Sequence, residues 1–341
     1  MATCALVIPG TGVSAVNTAF TQCWQLMLAM RRWVIIGGII LVIPHNMPIT
    51  VAFLGLGAIG RPMAACLARA ADIELSVWNR TPSKAAEFAA EFNVRQGESP
   101  ADAARHADIV ITCMSTSADV QGHVEELIDM MKPGSVLVDC TSGDAATSKV
   151  IAAALAEKGV GFLDAPVSGG VKGAESGTLT VMVGGDAETL AKVTPVIEAF
   201  GKKIVHCGPV GSGDAVKAVN QAMLAVHIQS LGEGLVTLSK LGVKPEVALE
   251  VINSSSGRSN VSMNLFTERV IGRKFPRTFR LALIDKDIDI AAKMARDLKV
   301  PSPVIQLTAD LTHIAHMQLG EEADHVEQVK MIEEWAGQVI E

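Results

Sequence analysis

Ile49-Thr-Val-Ala-Phe-Leu54 runs without a break into Gly55-Leu56-Gly57-Ala58-Ile59-Gly60, and an alanine-rich amphipathic stretch follows. A β-branched run ending in glycines that open a helix is the context in which G-x-G-x-x-G reads as a dinucleotide-binding turn rather than an ordinary loop. Gly55 suits the tight turn, Gly57 lets the backbone approach a pyrophosphate at the helix N-terminus, and Gly60 allows close helix–strand packing. All six residues of the turn are therefore candidate cofactor contacts.

Working outward from the turn, further short β-branched runs alternate with Ala-rich helical stretches. Strands are expected at Leu75–Asn79, Ile109–Met114, Ser135–Asp139, Gly161–Asp164, Leu179–Val183 and Lys203–His206. That alternation predicts an α/β fold, a Rossmann-type doubly wound parallel sheet with helices on both faces. After Gly211-Ser-Gly213 the strand patterns stop, so an all-helical C-terminal domain is expected over 212–341, behind a nucleotide-binding domain at 48–211. In residues 1–47, Arg31-Arg32 precede the apolar run Trp33–Ile43, which is too short to span a bilayer and lacks a small-residue cleavage pattern. A non-native or disordered extension is expected there.

The 341 residues include no Tyr, which removes reductases whose proton donor is a tyrosine phenol. A net charge of −7 without a basic run argues against nucleic-acid or anionic-membrane binding. Six scattered cysteines without a C-x-x-C pair fit a reducing, cytoplasmic setting. His313 and His316 lie three apart, with His325 beyond, but no acidic ligand stands at metal spacing. A solvated helix face, and no metal site, is expected.

The second strand ends at Asn79-Arg80-Thr81, where an NAD-specific fold would place a carboxylate on the ribose hydroxyls. That acid is missing, and a guanidinium at Arg80 would attract a 2′-phosphate. The expected cofactor is NADP in preference, with NAD possible. Further along, Lys217, Gln221, Leu224, Ile228, Leu231, Leu235 and Leu238 follow 4-3-4-3-4-3 spacing, so a lysine and an amide head an apolar helical stripe. An ammonium on a buried face is costly without a purpose, which marks Lys217, with Asn220 and Gln221 beside it, as a candidate site. The competing reading is a helix whose first turns emerge into solvent. Asp164-Ala-Pro-Val-Ser168-Gly169-Gly170 places a hydroxyl and two backbone amides after a strand end, where open α/β sheets bind ligands.

Residues 164–180, DAPVSGGVKGAESGTLT, taken with the GLGAIG turn and the K-A-V-N-Q segment, resemble the β-hydroxyacid dehydrogenase family over about 48–336. The resemblance implies that Lys217 is the catalytic lysine, that Asn220 and Gln221 form its amide segment, and that Ser168, Gly169 and Gly170 bind substrate. More loosely, Asp139-Cys-Thr141-Ser142 resembles the D-x-S-T stretch near the nicotinamide. Met114 and Ser115 stand where Leu-Pro is frequent, and Lys286-Asp287 resembles a K-D pair that reaches the cofactor. Cys66 and Ala145 depart from the family's usual Asn and Pro. The stretch after Gly211 is too short for the longer helical domain of 6-phosphogluconate dehydrogenase.

The implied activity is hydride transfer between nicotinamide and a small anionic 3-hydroxyacid or its semialdehyde, with reduction of another semialdehyde, such as succinic semialdehyde or sulfolactaldehyde, as an alternative. Lys217 would be the general acid and base, its pKa depressed by burial. Arg258 and Asn260 are candidates for an anionic substrate tail. The resemblance also implies a homodimer or homotetramer. A non-catalytic dinucleotide-binding scaffold is the alternative, and it would have no use for a buried lysine.

Overall fold

The computed structural model describes residues 48–341, together with the backbone of two short strands, Trp33–Ile36 and Ile39–Val42, which pair antiparallel. The rest of the first 47 residues, and with them the expectation of a non-native extension, lie outside the described residues.

Ile49–Leu54 forms β1, whose last four residues are fully enclosed. Its side chains alternate between two apolar layers: Val51 and Phe53 pack with Met63, Leu67, Phe88 and Val181 on one face of the sheet. Ala52 and Leu54 pack with Val110, Leu127, Leu137 and Leu155 on the other. A strand covered on both faces carries a continuous apolar run, which is why this stretch is so plain in the sequence.

From β1 the chain continues through α1 (Gly60–Ala68), β2 (Ile73–Trp78), α2 (Pro82–Phe92), β3 (Arg95–Gln96), α3 (Pro100–Ala104), β4 (Ile109–Thr112) and α4 (Ser117–Leu127). It then forms β5 (Val136–Asp139), α5 (Ala145–Ala156), β6 (Gly161–Asp164), β7 (Val167–Ser168), α6 (Gly170–Glu175), β8 (Leu179–Gly185), α7 (Ala187–Ile197) and β9 (Gly201–Gly208). The nine-stranded sheet has the order β9-β8-β6-β5-β4-β1-β2-β3, with β7 paired to β8. The chain reverses direction across the sheet at β1, between β2 and β4, and the glycine turn sits at that switch point.

Seven expected strands are present, but the sheet is mixed rather than wholly parallel. β8 runs antiparallel to β6 (Gly184 opposite Asp164) and to β7 (Val181 opposite Val167), while β9 is parallel to β8. The stretch between β7 and β8 holds only the one-turn helix α6, too short for the crossover that a parallel pairing requires. The reversed pair therefore brings the chain back to the carboxyl end of β6.

There α8 (Ser212–Lys240) begins, followed by α9 (Pro245–Asn253), a wide π-helical segment (Val261–Ile271), α10 (Leu281–Asp297), α11 (Pro303–Leu319), a 3-10 turn (His325–Gln328) and α12 (Val329–Ala336). Ala218, Ala222 and Ala225 of α8 pack on Leu281, Ile284 and Ile288 of α10. Further along, Ile228 and Leu235 pack on Phe266, Val326 and Val329. Residues 49–341 make one compact unit. Among the described residues no helix is long and apolar enough to cross a membrane.

Candidate active site

The glycine turn is built by close contacts. Gly55 has φ +108°, and a Cβ there would meet the Cys113 carbonyl oxygen at 2.3 Å; a Cβ on Gly60 would meet the Gly55 carbonyl oxygen at 2.0 Å. A Cβ on Gly57, by contrast, would find nothing within 4 Å. The space beside Gly57 therefore lies open at the N-terminus of α1, where the Arg61 and Met63 amides are bonded back to the Gly57 and Ile59 carbonyls and Pro62 has no N–H, so the amides of the turn itself, residues 57–60, are the ones left for an anion. A dinucleotide pyrophosphate fits these residues. Leu56 is buried, Ile59 is half-buried, and Gly57 and Ala58 are exposed.

Asn79 fixes the turn from β2: its Oδ1 accepts from the Leu56 amide at 2.9 Å, and its Nδ2 donates to the Thr81 carbonyl at 3.1 Å. Arg80 projects from the same strand end with 84% of its side chain exposed, 3.9 Å from the Asp119 carboxylate. An exposed pair at that separation contributes little, and Asp119 is already engaged by Thr116 in the capping box of α4. Thr81 is exposed. On the neighbouring strand end the Met114 amide donates to Thr141 Oγ1 at 2.9 Å, whereas Ser115 is exposed.

The second group centres on α8. Lys217 is 7% exposed, so its ammonium is enclosed rather than solvated, which removes the reading of a helix emerging into water. Its Nζ donates to Gln221 Oε1 at 3.1 Å, and Gln221 Nε2 donates to Asp287 Oδ2 at 3.0 Å. Asp287 is paired at 2.8 Å with Lys286, whose Nζ also donates to the Ser142 carbonyl in the loop after β5. Burial lowers the Lys217 pKa, Asp287 opposes that shift, and the Lys286 charge adds to it. The amide that touches the lysine is Gln221; Asn220 is exposed and donates to the same Oε1 at 3.2 Å.

Ser168 is half-buried, and Gly169 and Gly170 are exposed in positive-φ conformations. Among the described residues they make no hydrogen bond to the lysine network. They border it through β8, which pairs Thr180 with Ser168 and turns its Met182 carbonyl toward Gly213, one turn before Lys217. Arg258 and Asn260 are both exposed in the loop before the π-helical segment.

Sequence reading assigned no role to the buried carboxylates that seat α8. Asp164 accepts from the Gly211 amide at 2.7 Å and the Asp214 amide at 3.0 Å. Asp214 in turn accepts from the Gly143 amide at 3.2 Å and Ser148 Oγ at 2.6 Å. Burial, reinforced by the Asp139 charge, pushes the Asp214 carboxyl up to about 8, and burial pushes Asp139 up to about 6 against hydrogen bonds from Thr141 and Thr112. A carboxyl that holds its proton more tightly folded than unfolded contributes stability fully below its unfolded pKa of 3.8, and loses it as pH rises through the folded value. Melting temperature should therefore fall as pH rises from about 5 to about 9. Asp214→Asn, whose amide can still accept from Gly143 and donate to Ser148, should remove the part of that fall that begins above the unfolded pKa of 3.8 and ends near pH 8. An unchanged slope in the variant would remove Asp214 from this account.

Comparison with known proteins bears on both groups. Residues 50–208 match the family model of the NAD binding domain of 6-phosphogluconate dehydrogenase, and residues 211–332 match the NAD-binding domain of NADP-dependent 3-hydroxyisobutyrate dehydrogenase. The chain is 34% identical over 266 residues to 2-(hydroxymethyl)glutarate dehydrogenase of Eubacterium barkeri, covering 77% of this chain and 88% of that one. It is 32% identical over 297 residues to the NAD-dependent L-serine dehydrogenase of Pseudomonas aeruginosa, covering 84% and 99%. Among solved structures, the 3-hydroxyisobutyrate dehydrogenase of Mycobacterium tuberculosis with L-serine aligns with a TM-score of 0.78 at 30% identity, over 84% of this chain and 99% of that one.

Proposed function

Because the chain belongs to the β-hydroxyacid dehydrogenase family, we propose that it oxidises and regenerates a primary alcohol of the form HOCH2–CHR–COO−, with Lys217 as general acid and base. The observation that carries this reading is the enclosed ammonium of Lys217, 3.1 Å from a glutamine that a buried aspartate holds in place. A bound nicotinamide supplies or accepts the hydride. In reduction Lys217 Nζ donates its proton to the oxygen that becomes the alcohol; in oxidation the neutral amine takes that proton back. The lowered pKa serves the second direction, since it makes the free base accessible nearer neutrality. Gln221, itself braced by Asp287, holds the amine in position.

Two lysines and one aspartate leave the cluster with one net positive charge when all are ionised, which suits an anionic substrate. Substrate names among the relatives, 2-(hydroxymethyl)glutarate, L-serine and 3-hydroxyisobutyrate, share a hydroxymethyl group on the carbon that bears a carboxylate. Semialdehydes of this class are the products in the oxidative direction. A panel of such alcohols and their semialdehydes, followed by the absorbance of reduced nicotinamide, tests the reading. Turnover confined to secondary alcohols would overturn it.

For the cofactor we propose NADP over NAD, because Arg80 is exposed beside the turn and Asn79, not a carboxylate, follows the end of β2. Arg80→Ala should lower kcat/KM for NADPH by about tenfold, the loss of one charge-assisted contact, and leave the value for NADH unchanged. Tenfold better kcat/KM with NADH in the unaltered protein would sink this preference. We further propose a homo-oligomer working in the cytoplasm; light scattering coupled to gel filtration reads the assembly directly.

A further inference from the structure

His313 and His316 take no part in the proposed reaction, yet the fold gives them a partner that their own segment of sequence does not contain. Asp285 of α10 directs one oxygen, Oδ2, at both rings of α11, 3.1 Å from His313 Nδ1 and 2.8 Å from His316 Nδ1. The three ligand atoms lie within 4.8 Å of one another. From these positions we propose a transition-metal site of the zinc class that staples α10 to α11 through Asp285, His313 and His316.

The donor set argues for the class of ion. Two imidazole nitrogens and one carboxylate oxygen match zinc, cobalt, nickel or copper, whereas magnesium and calcium prefer oxygen alone. Ligand bonds of about 2.0–2.2 Å in a tetrahedral site set ligand atoms roughly 3.3 Å apart, so the two carboxylate–imidazole separations need to open by only a few tenths of an ångström. In the metal-free arrangement each Nδ1 must carry a proton to bond Oδ2; the ion replaces those protons at the centre of the same three atoms. His316 has a brace as well: Glu321 Oε1 lies 3.3 Å from its Nε2, the kind of outer carboxylate that keeps a ligating ring in orientation.

Access favours a reversible ion rather than a closed structural one. Asp285 and His316 keep 14% and 16% of their side-chain surface exposed, while His313 keeps 63%, so the fourth position opens to water on the His313 side. The nearest cation along the chain, Lys286, is turned away onto Ser142 and Asp287 and does not occupy the cluster.

The test uses the full chain, dialysed against chelator and then titrated with zinc chloride alone. The expected result is an ion bound per chain, with a rise in melting temperature that magnesium does not reproduce. His313→Ala, at an exposed position where folding is safe, should lower the stoichiometry by one or weaken that ion's affinity by at least tenfold, and Asp285→Asn should do the same. Cobalt(II) in place of zinc should give the visible bands of nitrogen and oxygen ligation without the near-ultraviolet charge transfer of thiolate. Unchanged zinc binding in both variants, or a thiolate signature that survives them, would overturn the site.

Discussion

Lys217→Ala leaves a protein that binds its nicotinamide cofactor as before and turns substrate over roughly 10³-fold more slowly, the usual worth of a positioned proton donor. Steady-state rates together with a fluorescence titration of NADPH separate the two properties. The lysine lies on α8 and the glycine turn on the β1–α1 corner, so the change leaves the turn untouched. Lys217→Arg should fare little better, because a guanidinium keeps the charge but does not release its proton near neutrality. Small primary amines should restore part of the alanine variant's rate. Turnover within tenfold of normal in Lys217→Ala would refute the assignment.

The largest loss of stability is expected at Asp164, which is 0% exposed and holds two amides at the start of α8. Alanine there leaves both donors buried without an acceptor, at about 1–3 kcal/mol each. Relief of the repulsion among Asp139, Asp164 and Asp214 offsets part of that cost. A net loss of roughly 3 kcal/mol, read as a lower denaturant midpoint at unchanged m-value, is expected. Asp164→Asn keeps one oxygen and should fall between the two. A variant as stable as the unaltered protein would mean that α8 is seated by packing alone.

How much of this was legible beforehand follows from the range of each interaction. The glycine turn lies within twelve consecutive residues, so its spacing is legible locally even though the carbonyl that forbids a Cβ at Gly55 belongs to Cys113, beyond β4. Lys217 was legible because helical spacing alone aligns it with the apolar stripe. The choice between Asn220 and Gln221 was not, since it depends on where Asp287, 66 residues from Gln221, enters the packing. Asp164 carries no legible role in the Asp164–Gly170 stretch for the same reason: its partners lie 47 and 50 residues away. The reversal of β8 has no periodicity of its own to betray it, and Asp285 is 28 residues from His313.

α8 has a mechanical consequence as well. At 1.5 Å per residue its 29 residues make a rod about 44 Å long, pinned in its first turn by Asp164, and Lys217 stands only about 8 Å along it from the first residue, Ser212. A rod without an internal joint acts as a lever with its short arm at the amine. A sideways displacement of 1 Å at the far end reaches Lys217 as roughly 0.2 Å. The distal turns can therefore change their neighbours, or meet another subunit, while Lys217 stays nearly still.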